Sequence, residues 1–154
     1  MHQKPHLDLD NYVPALLNFL SNKLAATASK EYRKRFGVGV LEWRMLSMLA
    51  VEDHITANRI CQVIGLDKGG VSRSLHKLEQ SEHVKFEVDP TDARRQVVSL
   101  TAKGWKLHDQ ILTVALKREQ ILLGGLSQEE IETLIGLLRH LHGRVRFLGD
   151  LENQ

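Results

Sequence analysis

Apolar residues recur along the chain with two periods, and the switches between them divide it into elements. From about Asn11 to Phe36, Val13, Leu16, Leu17, Leu20 and Leu24 fall at helical spacing. Pro14 is compatible with that helix because it lies in the first turn, where its missing N–H costs no bond. A second helix is expected over Leu41 to Ala50. Thr56, whose hydroxyl suits an N-cap, then precedes Ala57, Ile60, Cys61 and Ile64, which share one inward face. Gly65 marks a sharp turn, Leu66 plugs it, and Asp67 caps a further helix with Val71, Leu75 and Leu78 as its buried stripe. Here the period shortens to two. Val84, Phe86 and Val88 alternate with His83, Lys85 and Glu87; past the tip Asp89-Pro90-Thr91-Asp92-Ala93-Arg94-Arg95, Val98 and Leu100 alternate with Val97 and Ser99. Two half-buried strands paired as a hairpin follow from that alternation. Helical spacing returns after Thr101, with Leu107, Ile111, Val114 and Ile121. A capping box of Ser127 and Glu130 then opens a last helix bearing Ile131, Leu134, Ile135, Leu138, Leu141, Val145 and Leu148.

The order helix, turn, helix, hairpin predicts a mainly α fold with a small β wing. A winged helix-turn-helix core at about 40–104 is flanked by N- and C-terminal helices at about 8–36 and 105–148, all within one domain spanning 1–154. A core of about fifty residues is too small to cover three long apolar stripes, and stripes of that length are rarely left bare on a soluble monomer. The flanks are therefore expected to be dimerisation helices and the chain a homodimer.

Composition changes this picture little. The 154 residues are 42% hydrophobic and 26% charged, ordinary for a soluble domain, and the net charge is only +2. A nucleic-acid binder with so little net charge must segregate it. Cations gather in the helix after Asp67 and in the hairpin, while Asp8, Asp10, Glu129, Glu130, Glu132, Asp150 and Glu152 lie toward the ends. Met1 to His6 lacks an apolar run of signal-peptide length, and no stretch approaches the ~18 apolar residues of a membrane span. A cytoplasmic protein with no membrane partner is expected. Cys61 is the single cysteine, which excludes an intramolecular disulfide and fits a reducing compartment.

The candidate chemistry is cationic. On the helix after Asp67, Lys68, Ser72, Arg73, His76 and Lys77 are left facing solvent or a ligand, a set suited to base edges and phosphates. In the wing, Asp92 lies two residues before Arg94 and is expected to hold that guanidinium extended, as a probe for a minor groove, with Arg95 beside it. Gly69 and Gly70 have two readings: a frayed helix start, or bare backbone that lets N–H groups approach a phosphate. Double-stranded DNA is the expected partner. The alternative is a winged-helix protein used for protein contacts or for DNA architecture without sequence specificity. An enzyme is not expected, since no nucleophile elbow, phosphate-cradling loop, zinc-ligand spacing or catalytic carboxylate pair can be placed. No cofactor or metal is expected either. His140 and His142, two apart on a helix, point in different directions, and Cys61 lies on a buried stripe without a cationic neighbour one turn away.

The run Ile64-Gly65-Leu66-Asp67-Lys68-Gly69-Gly70-Val71-Ser72-Arg73-Ser74-Leu75, then Lys77-Leu78-Glu79, and the hairpin tip leading to Ser99-Leu100-Thr101-Ala102-Lys103-Gly104 resemble the MarR family of bacterial transcriptional regulators. The resemblance covers nearly the whole chain. It implies an obligate homodimer bound to a pseudo-palindromic operator, commonly as a repressor that a small molecule releases. It further implies an effector pocket between core and dimerisation helices, where Trp43, Arg44, Met45 and Met48 fall. An arginine beside an indole could pair with the carboxylate of an aromatic acid and stack on its ring, an acyl thioester being the other ligand class expected; the same residues also fit a plain core. The chain departs from the family at Thr91, where wings often carry arginine, and at the Gly69-Gly70 pair.

Overall fold

The computed structural model describes residues 6–153, with side chains described as far as residue 149. Met1 to Pro5, Gln154 and the side chains of Asp150 and Glu152 lie outside the described residues. The elements are α1 (Val13–Phe36), α2 (Val40–Val51), α3 (Ala57–Ile64), α4 (Lys68–Gln80), β1 (Val84–Asp89), β2 (Asp92–Leu100), α5 (Ala102–Leu122), α6 (Gln128–Arg144) and a closing 3-10 helix (Val145–Asn153). This is a mainly α fold with a β wing, as the pattern predicts.

Local chemistry sets the boundaries. Pro14 falls in the first turn of α1, and Gly37, at φ 72°, ends that helix by returning its N–H to the Arg33 carbonyl. Thr56 caps α3 by accepting from the Arg59 N–H at 3.1 Å, and Gly65, at φ 73°, closes it. Asp67 caps α4 and Thr101 accepts from the Gly104 N–H at 3.0 Å. Ser127 and Glu130 exchange the two bonds of a capping box at 3.2 and 2.7 Å.

The chain forms two compact units, one ending at Leu112 and one beginning at Thr113. The first is built on a core of Met45, Leu46 and Leu49 from α2, Ile60 from α3, Val71, Leu75 and Leu78 from α4, Val98 from β2 and Ile111 from α5, all fully buried. Each such side chain contributes roughly 1.5–3 kcal/mol through burial. In α3, Ile60 alone is fully covered, with Ala57, Cys61 and Ile64 half-buried around it.

The strands depart from the expected alternation. Val97, Val98, Ser99 and Leu100 are all buried, so this end of β2 is covered on both faces; along its edges β1 pairs on one side and Ile55 bridges Val98 on the other. Val88, by contrast, is exposed, since the end of β1 runs past the core. In the second unit α6 ends at Arg144, so Val145 and Leu148 of the expected stripe belong to the 3-10 helix. Leu134, Ile135, Leu138 and Leu141 are 38–43% exposed, and Val13, Leu16, Leu17 and Leu20 of α1 are exposed as well.

Candidate nucleic-acid interface

The candidate recognition element is α4, presented by a tight α3-turn-α4 corner. Gly65 supplies the left-handed turn, and the Asp67 carboxylate accepts from the Gly70 N–H at 2.9 Å. That bond, with the Arg73 cation nearby, holds the Asp67 carboxyl below its ordinary value. Val71, Leu75 and Leu78 turn inward, and Lys68, Ser72, Arg73, His76 and Lys77 all lie exposed on the opposite side. Ser74 is also buried, on the same inner face; its spacing from Val71 and Leu78 marks it as a core position that a purely apolar count passes over.

Gly69 and Gly70 sit inside a regular helix that begins at Lys68. A Cβ on Gly69 would lie 3.1 Å from both Arg73 Nη1 and Asp67 Oδ1, and one on Gly70 would lie 3.3 Å from Asp67 Oδ2. The two glycines thus leave room for the guanidinium and the capping carboxylate over the first turn.

The wing is tied to the end of α4. The His83 N–H donates to the Leu78 carbonyl at 2.8 Å, and the Thr101 hydroxyl donates to the Glu82 carbonyl at 2.6 Å. From there the six residues of β1 extend roughly 20 Å. The tip differs from expectation. Asp92 accepts from the backbone N–H of Arg94 at 3.0 Å rather than from its guanidinium, because an Asp two residues upstream closes an Asx turn on its own backbone. Asp89 does similar work, taking the Thr91 hydroxyl at 2.7 Å and the Thr91 N–H at 2.8 Å, bonds that hold its carboxyl low. Thr91, where the resemblance implies an arginine, therefore locks the tip. The ladder shifts between Val88 and Asp89, leaving Ala93, Arg94 and Arg95 in a bulge. Arg95 Nε lies 3.8 Å from Asp89, whereas the exposed Arg94 has no ion-pair partner among the described residues.

Two residues beside α4 escape sequence reasoning. Glu42, almost wholly buried near the start of α2, accepts from the Gly39 N–H at 2.9 Å and sits 3.7 Å from Lys77 Nζ. Arg33 reaches over Gly39 from the end of α1. The Gly-x-x-Glu spacing at 39–42 is a capping signal that could have found the first; only tertiary structure reveals the second.

Trp43 is half-buried in an aromatic stack. Its ring lies 5.5 Å from His108, nearly parallel, and 6.2 Å edge-on from Tyr32, and Trp105 meets His108 edge-on at 5.7 Å. Arg44 is half-buried one residue on, about 100° around the helix, and Met45 is fully buried core. Cys61 is half-buried and unpaired in any disulfide. Among the described residues no helix is long and apolar enough to cross a membrane.

Comparison with known proteins returns the same architecture. A family model described as the MarR family matches residues 36–95, the span from the end of α1 to the wing tip. A MarR/EmrR family transcriptional regulator from Acinetobacter sp. ADP1 superposes with a TM-score of 0.86 at 32% identity, over 91% of this chain and 99% of that one. The HTH-type transcriptional regulator TcaR of Staphylococcus aureus (strain Newman) is 26% identical over 142 residues, 90% of this chain and 93% of that protein. MepR from S. aureus, solved as a DNA complex, shares the fold with a TM-score of 0.77 at 24% identity, over 88% of this chain and 98% of that one.

Proposed function

The chain belongs to the MarR family of transcriptional regulators, DNA-binding proteins rather than enzymes, and from that premise we propose that it acts as a homodimeric repressor of a pseudo-palindromic operator. In this reading α4 enters the major groove with Lys68, Ser72, Arg73, His76 and Lys77. Gly69 and Gly70 give its first turn a close approach to the backbone. Arg94 probes the minor groove, with Asp92 and Arg95 shaping the wing around it. The observation that carries the assignment is the division of α4, whose apolar residues Val71, Leu75 and Leu78 are wholly buried while Lys68, Ser72, Arg73, His76 and Lys77 are all exposed. The bare apolar stripes of α1 and α6 support the dimer. Release by a small-molecule effector is the remaining part of the reading, with Trp43 and Arg44 as candidate contacts for an aromatic acid or an acyl thioester.

The test is a gel-shift series on an operator selected from a random duplex pool, against an unselected duplex. Arg73→Ala should weaken the selected operator by about 1–3 kcal/mol and relax its sequence preference, as expected for a base-edge contact. Lys77→Ala should weaken both duplexes alike and flatten the salt dependence, as expected for a phosphate contact. Unchanged binding in both variants would end the assignment of α4.

A further inference from the structure

The close of α1 carries Lys30, Arg33, Lys34 and Arg35, a placement the carbonyl end of a helix favours on electrostatic grounds alone. Their individual arrangement is more telling. Arg35 is paired with Glu31 at 2.6 Å, but Arg33 has no ion-pair partner among the described residues. Its guanidinium lies over Gly39, where a Cβ would stand 3.3 Å from Arg33 Nε and Nη2 and 2.9 Å from Glu42 Oε2. The bare glycine lets a cation and a carboxylate converge. The other oxygen of Glu42 faces Lys77 Nζ at 3.7 Å, so the buried acid pairs with Lys77 while Arg33, close to the same glycine, stays outside ion-pair distance of it.

Beside them runs a groove of about 430 Å³ whose lining includes Arg33, Val38, Gly39, Glu42 and Lys77. A smaller hollow of about 120 Å³, also lined by Arg33, Glu42 and Lys77, extends toward Arg73. Three cations against one acid leave the combined groove positive. The Lys77 side chain is 72% exposed and that of Glu42 only 11%, so the cations stand at the lip and the acid at the base. An open trough charged in that way suits an anion that passes along it more than one that is enclosed.

We propose that this groove is a second seat for a DNA backbone phosphate. Arg33 contacts the phosphate directly, and Glu42 is a positioning residue that holds Lys77 at the lip until the phosphate replaces it. The inference rests on the reading that α4 faces the duplex, because the groove opens on the flank of α4 that bears Lys77 and Arg73. It extends the contact surface beyond the helix-turn-helix and wing to the end of α1.

Fluorescence anisotropy on the selected and unselected duplexes over a range of salt tests it, with Arg73→Ala as control. Arg33→Gln should lose several-fold in affinity on both duplexes and lower the slope of log K against log salt by about 0.9 per contact removed. Arg33→Lys, which keeps the charge, should retain most of the binding and the slope. Glu42→Gln keeps an acceptor for the Gly39 N–H but removes the competing charge, and should raise affinity on both duplexes, an effect that a purely structural role would not produce. If Arg73→Ala weakens binding while Arg33→Gln leaves affinity and slope at wild-type values, the groove proposal fails and the α4 reading survives. If neither variant has an effect, both fail. Inorganic phosphate at fixed ionic strength gives a last arm. Should it raise the melting temperature of the wild type but not of Arg33→Gln, with duplex binding independent of Arg33, the groove takes a free anion and the proposal is overturned.

Discussion

Arg94 and Arg95 are neighbours in sequence with different surroundings, and the difference is functional if the wing enters DNA. Arg95 is drawn toward Asp89, whose carboxylate is already fixed by Thr91. Arg94 projects from the bulge, its backbone held by Asp92 and its guanidinium left without an ion-pair partner among the described residues. Arg94→Ala should therefore cost about 1–3 kcal/mol on operators with A·T-rich flanks and less on G·C-rich flanks, because the narrow A·T minor groove concentrates negative potential. Arg95→Ala should cost under about 1 kcal/mol, and the loss should vanish at high salt, as for an exposed charge. Binding titrations on the two flank types separate the cases; equal losses for the two variants would remove the distinction between probe and tether. The sequence made the pair of cations visible but not this division of labour. An Asp two residues before an Arg is compatible with a side-chain or a backbone bond, and only the closed turn shows which one forms.

At the scale of elements, most boundaries were legible because each is a local event between residues close in sequence. The Thr56, Asp67 and Ser127 caps and the Gly65 turn all act within three or four residues, and the structure bears each of them out. The strands were less legible. Burial of both faces of β2 is a tertiary outcome, and the bridge from Val98 to Ile55 spans more than forty positions that no period-two pattern encodes. The Glu42–Lys77 pair, which joins α2 to α4, is hidden for the same reason. Of these local devices the Asp67 cap is the most directly testable. Asp67→Ala should lower the melting temperature by about 2–4 °C, and Asp67→Asn, which also caps, should recover most of it. The pH dependence has a definite sign. Asp67 is held below its ordinary 3.8, chiefly by the Gly70 N–H, so its contribution is complete above that value and fades as pH falls through 3.8 toward the lower folded value. Thermal melts between pH 5 and 3 should show the wild type losing an increment that Asp67→Asn does not lose; parallel curves would place the cap's strength outside its charge.

For the whole molecule, paired as proposed, the decisive quantity is the distance between the two α4 helices. One α4 buries too few base contacts to bind an operator tightly, whereas two joined in a dimer gain about 10²–10⁴-fold from effective concentration, provided both reach their half-sites together. Those half-sites must lie about 34 Å apart to present successive major grooves on one face of the duplex. The exposed leucines of α6 offer the apolar surface for such a dimer, and Leu138 lies amid Leu134, Ile135 and Leu141. Leu138→Lys keeps a good helix former while placing a charge in that stripe, so it should spare the winged core and break the pairing. Sedimentation velocity should then show a single subunit at micromolar concentration, and affinity for the full operator should fall by about 10²–10⁴-fold, to that of an isolated half-site. Inserting about five base pairs between the half-sites should penalise the wild type comparably, because half a turn moves the second groove to the opposite face, yet leave Leu138→Lys unaffected. A monomeric variant that still binds the intact operator at wild-type strength, or a wild type indifferent to the insertion, would show that each winged core acts alone, and the apolar stripe of α6 would then need another partner.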